Sequence, residues 1–155
     1  MTKKSVYDVI DTGINYLISD YDKWNIESIL DNESELFPNT LHWQYGHELT
    51  ICESALSLSE QNEVDIQKYT RLFGYGSNPA DWGDEDIPSV DEIIENLKTL
   101  PERAKKLTDQ QLEVELTETI AGCSTLDELL ILNAIHVPLH AGKIEEMARV
   151  LKQQR

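Results

Sequence analysis

Residues 125–151 read TLDELLILNAIHVPLHAGKIEEMARVL, and the fold is decided by how this stretch is read. Apolar residues recur in it every three or four positions, the period of a helix with one face against a core. Thr125 followed by Glu128 is a capping box that opens such a helix. His136 and His140 stand one turn apart, so their imidazoles project the same way. At ~100° per residue, Leu129, Leu132, Asn133, Leu139, Ile144, Met147, Val150 and Leu151 fall beside them. Pro138, Gly142, Glu145 and Arg149 fall opposite, as a solvated face. The pattern therefore puts both histidines on the apolar stripe. Two inward imidazoles on one helix are either core residues, each hydrogen-bonded to a backbone carbonyl, or two ligands of a divalent metal. A third ligand elsewhere in the chain decides between these readings.

Working back toward the N-terminus, the same periodicity marks three more helices. Val6, Ile10, Ile14, Leu17, Ile18 and Tyr21 predict a first helix over residues 5–21. A short helix or end turn around Trp24, Ile26, Ile29 and Leu30 precedes an acidic run closed by Pro38. Asn39 or Thr40 caps a second helix that runs to about Leu58. This helix carries two apolar bands, Trp43, Ile51 and Leu58 beside His47, and Leu41, Tyr45, Leu49, Cys52 and Leu56 almost opposite. Only His42, Gly46, Glu53 and Ser57 form a wet sector. Such breadth requires cover on two sides, by a second subunit in a homodimer or by deep burial in one chain. Residues 61–88 gain Gly, Pro, Asn and Asp and read as a long connection with a short helix near Val64 to Phe73. Its aromatics Tyr69, Phe73, Tyr75 and Trp82 either cover a pocket or anchor the crossover. Ser89 with Glu92 starts a third long helix through Ile93, Ile94, Leu97, Leu100, Ala104 and Leu107, which Pro101 should kink or split. Residues 108–124 read as a turn and an extended connection. The expectation is an all-α, single-domain four-helix bundle with a long crossover between helices two and three, an architecture that holds metals between facing helices.

Composition narrows the partners. The 155 residues carry 29 acidic and 13 basic side chains, a formal net charge of −16. That field repels phosphate backbones and anionic membranes, so neither nucleic acid nor a membrane is expected. MTKKSVYDVID turns acidic at once, with no signal-like apolar region, and no apolar run is long enough to span a bilayer. Cytoplasmic location is the expectation. Cys52 and Cys123 match no CxxC pattern and suit a reducing compartment, though spacing alone leaves a disulfide open.

His47 is the candidate third ligand, because of the two remaining histidines it alone lies inside an apolar arc. His42, turned roughly 140° from it, reads as a surface or capping residue. Three neutral imidazoles leave a divalent metal its full charge and at least one open position. Zinc is the first expectation. Nickel, iron and manganese fit the same ligands. A di-iron carboxylate site is excluded, since the residues three before the histidines are Asn39, Gln44, Asn133 and Val137 and make no Glu-x-x-His motif. A HExxH zincin is excluded by Val137, Pro138 and Leu139 between the paired histidines. Glu48 could orient a ligand imidazole, act as a base or simply pair at a helix interface. Asn133 could add a hydrogen bond to a ligand. No catalytic Ser/His/Asp motif, Gly-rich phosphate loop or activated cysteine is evident.

The segment PNTLHWQYGHEL, residues 38–49, resembles the helix-two signature of the DinB/YfiT-like proteins, and HVPLHAGKI, residues 136–144, resembles their closing His-x-x-x-His motif. The resemblance implies a bundle of up-down-down-up topology, frequent dimers, and a divalent metal on three histidines, carried here onto His47, His136 and His140. It also implies a thiol-dependent transferase or isomerase that uses a low-molecular-weight thiol on small electrophilic molecules. Two departures bear on the site. Pro138 lies between the paired histidines and should bend the helix while ligation is kept. Lys143 stands where relatives often carry Gln or another polar residue, and could attract an anionic group beside the metal or snorkel to the bundle end. Two functions follow from these readings: a metal-dependent enzyme, or a non-catalytic, stress-associated binding bundle whose histidines hold a structural metal or none.

Overall fold

The computed structural model describes residues 3–153. In chain order it holds α1 (Lys3–Lys23), α2 (Leu41–Ser57), α3 (Ile66–Phe73), α4 (Val90–Lys105), α5 (Asp109–Leu112), β1 (Glu115–Ile120), β2 (Cys123–Thr125) and α6 (Leu126–Gln153). The chain is mostly helical, as an all-α class requires, with one small sheet that the sequence reading did not anticipate. Helix α1 packs on α4 and α6, and α2 packs on α3, α4 and α6. No helix among the described residues is long and apolar enough to cross a membrane.

Helices α2, α4 and α6 begin where side chains supply the missing acceptors. Thr40, Ser89 and Thr125 accept from the backbone N–H three residues on, at Trp43, Glu92 and Glu128. Val6, Ile10, Ile14 and Leu17 form the buried face of α1, each contributing roughly 1.5–3 kcal/mol by leaving water.

Helix α2 corrects the expected wet sector. His42 and Gly46 are buried and Glu53 is fully enclosed, so the helix is covered almost all the way round. Cover comes from α3, α4 and α6 of the same chain, while Leu58 at the end of the band beside His47 stays 40% exposed. His42 is not a surface residue: its ring joins the Asp31 carboxylate at 3.0 Å and the Pro88 carbonyl at 2.8 Å. Glu53 meets the Arg103 guanidinium of α4, itself nearly buried, in an ion pair. Periodicity detects apolar faces, and these polar residues are buried because each has a polar partner.

Helix α4 is not split at Pro101 but runs unbroken from Val90 to Lys105. The ring removes one hydrogen bond near the helix end, and burial of Leu97, Leu100 and Ala104 outweighs that loss. In the crossover, Tyr69 and Phe73 are buried, whereas Tyr75 is 98% exposed and anchors nothing.

The stretch expected to be a turn and an extended connection forms α5, opened by a reciprocal Thr108–Gln111 capping box, and then an antiparallel hairpin. Ala121 and Gly122 make its turn, with φ of 50° and 86°. Both are left-handed, as a two-residue turn matching strand twist requires.

In α6 the buried stripe is rotated from the expected one. Leu130, Ala134, Val137, Ala141, Ile144 and Ala148 lie at its centre, and the histidines sit at its edge. Leu139, expected on the stripe, is 68% exposed. Pro138 faces α1 rather than solvent: a Cβ added at Gly13 would lie 3.2 Å from its ring. The helix runs unbroken through it.

Candidate metal centre

His47 and Glu48 project from α2 toward His136 and His140 of α6, and one ligand atom from each lies within 4.8 Å of the others. The ring centroids of His47 are 5.4 Å from His136 and 5.1 Å from His140, and the α6 pair are 4.3 Å apart. Tetrahedral donors ~2.1 Å from zinc stand about 3.4 Å apart, so the widest pair closes by little more than 1 Å to reach that geometry.

Each ring is oriented from behind. His47 Nδ1 donates to the carbonyl of Phe73, the last residue of α3, at 2.7 Å. A carbonyl only accepts, so Nδ1 carries the proton and the lone pair lies on Nε2. The approach depends on Gly46, where an added Cβ would sit 2.2 Å from the Phe73 ring. Trp43 stacks on the other side of His47 at 4.5 Å, held by its own bond to Ser77. His140 Nδ1 donates to Gln44 Oε1 at 2.8 Å, and Gln44 in turn donates to Asn39. His140 thus also keeps its lone pair on Nε2. Gln44 is fully buried, and neither it nor the Phe73 carbonyl was foreseen. The place of Gln44 inside HWQYGH, three residues before His47 on the same helix, was the signal available for it, and a backbone carbonyl leaves none.

Glu48, expected among several weaker candidates, is fully buried with Oε1 3.1 Å from His136 Nδ1 and 3.5 Å from His140 Nδ1. The approach is close but off-line. Both carboxylate oxygens and His136 Nδ1 are buried without a completed hydrogen bond. Burial pushes the Glu48 carboxyl up to about 7, against the pull of His136, and the Glu48 carboxylate in turn raises His136 against its own burial. Burial, then His136, His47 and Lys143, push His140 down to about 3. Burial also lowers His47, although its bond to Phe73 opposes the shift. Lys143 is exposed, yet its charge reaches both His47 and His140, so it stands on the histidine side.

These residues fit a divalent cation. One donor atom from each of three imidazoles and a carboxylate gathers within 4.8 Å, and both oxygens of the buried Glu48 lack a hydrogen-bond partner, which is costly unless a proton or a cation supplies charge. No protein-family model matches this chain, and no curated protein matches it. The DinB/YfiT-like resemblance rests on its two short motifs.

Asn133, expected to bond a ligand residue, makes no such bond, although it is 3% exposed. Cys52 is buried, with its thiol pushed well up by that burial, and is free, as is Cys123. Burial thus keeps the Cys52 thiol protonated and inert.

Proposed function

We propose that the chain is a DinB/YfiT-like metal protein, a four-helix bundle of up-down-down-up topology with α3 in the crossover between its second and third long helices. In this reading His47, His136 and His140 hold a divalent metal, zinc first. The protein acts in the cytoplasm as a thiol-dependent transferase or isomerase on small electrophilic molecules, with a low-molecular-weight thiol as cosubstrate. The homodimer belongs to the proposal through the family resemblance alone. The mutual packing of α1, α2, α4 and α6 supports the bundle. The observation that carries the metal is that one donor atom from each of His47, Glu48, His136 and His140 lies within 4.8 Å of the others, while His47 Nδ1 and His140 Nδ1 are held by Phe73 and Gln44.

When bound, such a metal supplies Lewis acidity that keeps a thiol ionised near neutral pH. The chain contributes the rest. Phe73 and Gln44 hold the His47 and His140 rings in place, and Trp43 excludes water from one side of His47. Glu48, with its carboxyl near neutrality, holds or releases a proton beside His136. Lys143 adds positive potential at the exposed edge.

One observation favours the non-catalytic reading. If Glu48 joins the three histidines, four protein donors close a tetrahedral site, as in structural centres. Metal analysis of protein purified without chelator tests the proposal. One equivalent is expected in the native chain and a large loss in His47→Ala and His140→Ala. A native chain with no stoichiometric metal, and a His47→Ala variant of unchanged stability, would sink it. Turnover of thiols with electrophiles then separates the two functions: a structural site gives none, and an enzyme gives activity that the histidine variants lack.

A further inference from the structure

Beside His136 lies a second feature that the metal reading leaves unused. Between α2, α6 and the hairpin turn is a cleft of about 220 Å³. Its walls are Ile51, Leu58, Ile120, Leu129 and Leu132, and no Lys, Arg, Asp or Glu lines it. Leu58 and Ile120 are 40% and 49% exposed, so the mouth is open and apolar. Asn133, one turn before His136, lines the same cleft. The residue is only 3% exposed, its amide makes no hydrogen bond to the described residues, and its polar atoms are not among those sealed from solvent. A buried amide in this position is satisfied by what enters the cleft. Ser54, on the facing helix, also lines it.

We propose that this cleft binds an uncharged small molecule, made of an apolar body and one neutral hydrogen-bonding head, and presents that head between Asn133 and His136. An apolar cavity of about 150 Å³ takes benzene, so the space suits a ring with a short polar substituent. An ionised ligand would lose its hydration to apolar walls with no counter-charge. The chain's net charge of −16 disfavours anions further. The cleft thus selects the electrophile, and an anionic thiol reaches the histidines from the Lys143 side. That division of roles rests on the metal-centre reading, whereas binding in the cleft does not.

Benzamide, benzoate and benzamidine share one skeleton with neutral, negative and positive heads. Each is titrated into the full chain, with and without one equivalent of zinc, while the isoleucine and leucine methyl resonances are followed by NMR. Benzamide is expected to shift the methyls of Ile51, Ile120, Leu129 and Leu132, with the two ions weaker by about tenfold or more. Asn133→Ala is expected to weaken benzamide by about tenfold, and Ser54→Trp to block it, each judged only after its melting curve matches that of a folded chain. Shifts elsewhere, or no shift in the native chain, overturn the proposal, and that readout depends on no variant. Equal binding of benzoate overturns it too. Methyl shifts that follow protein concentration and ignore the probes show a second copy in the cleft and overturn it. Benzamide binding in a chain that retains no zinc keeps the cleft and removes the metal reading. Retained zinc with silent probes does the reverse.

Discussion

A single missing methyl group sets the distance between α2 and α3. Because Gly46 has no side chain, the Phe73 ring lies where a Cβ would be and its carbonyl reaches His47. Gly46→Ala is expected to cost about 1–3 kcal/mol by overpacking, seen as a lower urea midpoint at unchanged slope. It should loosen metal retention in step. Full stability in this variant would mean that Phe73 moves freely. Asp20 offers a second test at this scale. It is buried against Glu145, and burial, then that neighbouring carboxyl, push it up to about 7. The folded chain therefore keeps a proton that the unfolded chain releases near pH 4, so stability falls as pH rises from about 4 to 7. Asp20→Asn should flatten that slope and raise the melting temperature at pH 8 by roughly 2–4 °C. An unchanged pH profile would assign the shift elsewhere.

Between elements, the Glu53–Arg103 pair joins α2 to α4, and Arg103 also reaches the Gln61 and Asn96 carbonyls. Arg103→Ala strands a buried carboxylate and is expected to cost about 3–5 kcal/mol. Replacing both partners, Glu53→Leu with Arg103→Met, should recover most of that loss in the same denaturation experiment. A double variant as weak as the single would show that the charges themselves stabilise the contact. The same pair explains what was legible beforehand. Helix starts at Thr40, Ser89 and Thr125 could be read because capping is local in sequence. His47 could be read as inward because an apolar arc marks its face, and His136 with His140 because their i,i+4 spacing points both rings the same way, although they lie at the edge of the buried stripe. Glu53 and His42 could not, since their partners Arg103, Asp31 and Pro88 are distant and periodicity counts polar residues as wet. The hairpin was missed for a related reason. Ala-Gly is a weaker turn signal than Asn-Gly, and its strands bury almost nothing.

At the scale of the whole molecule, 29 acidic side chains against 13 basic ones repel one another across a single small surface. Screening should therefore stabilise the fold: the melting temperature is expected to climb as sodium chloride rises from about 10 mM toward 0.5 M, where the Debye length shrinks severalfold. A decrease would mean that surface ion pairs such as Arg71–Glu85 outweigh the repulsion. The carbonyl that steadies His47 belongs to the crossover and not to the helices bearing the ligands. A cation gripping that imidazole would therefore tether a strap some way off in sequence. Occupancy at the centre would then be felt as slower proteolytic nicking between residues 61 and 88, with no ligand touching that segment.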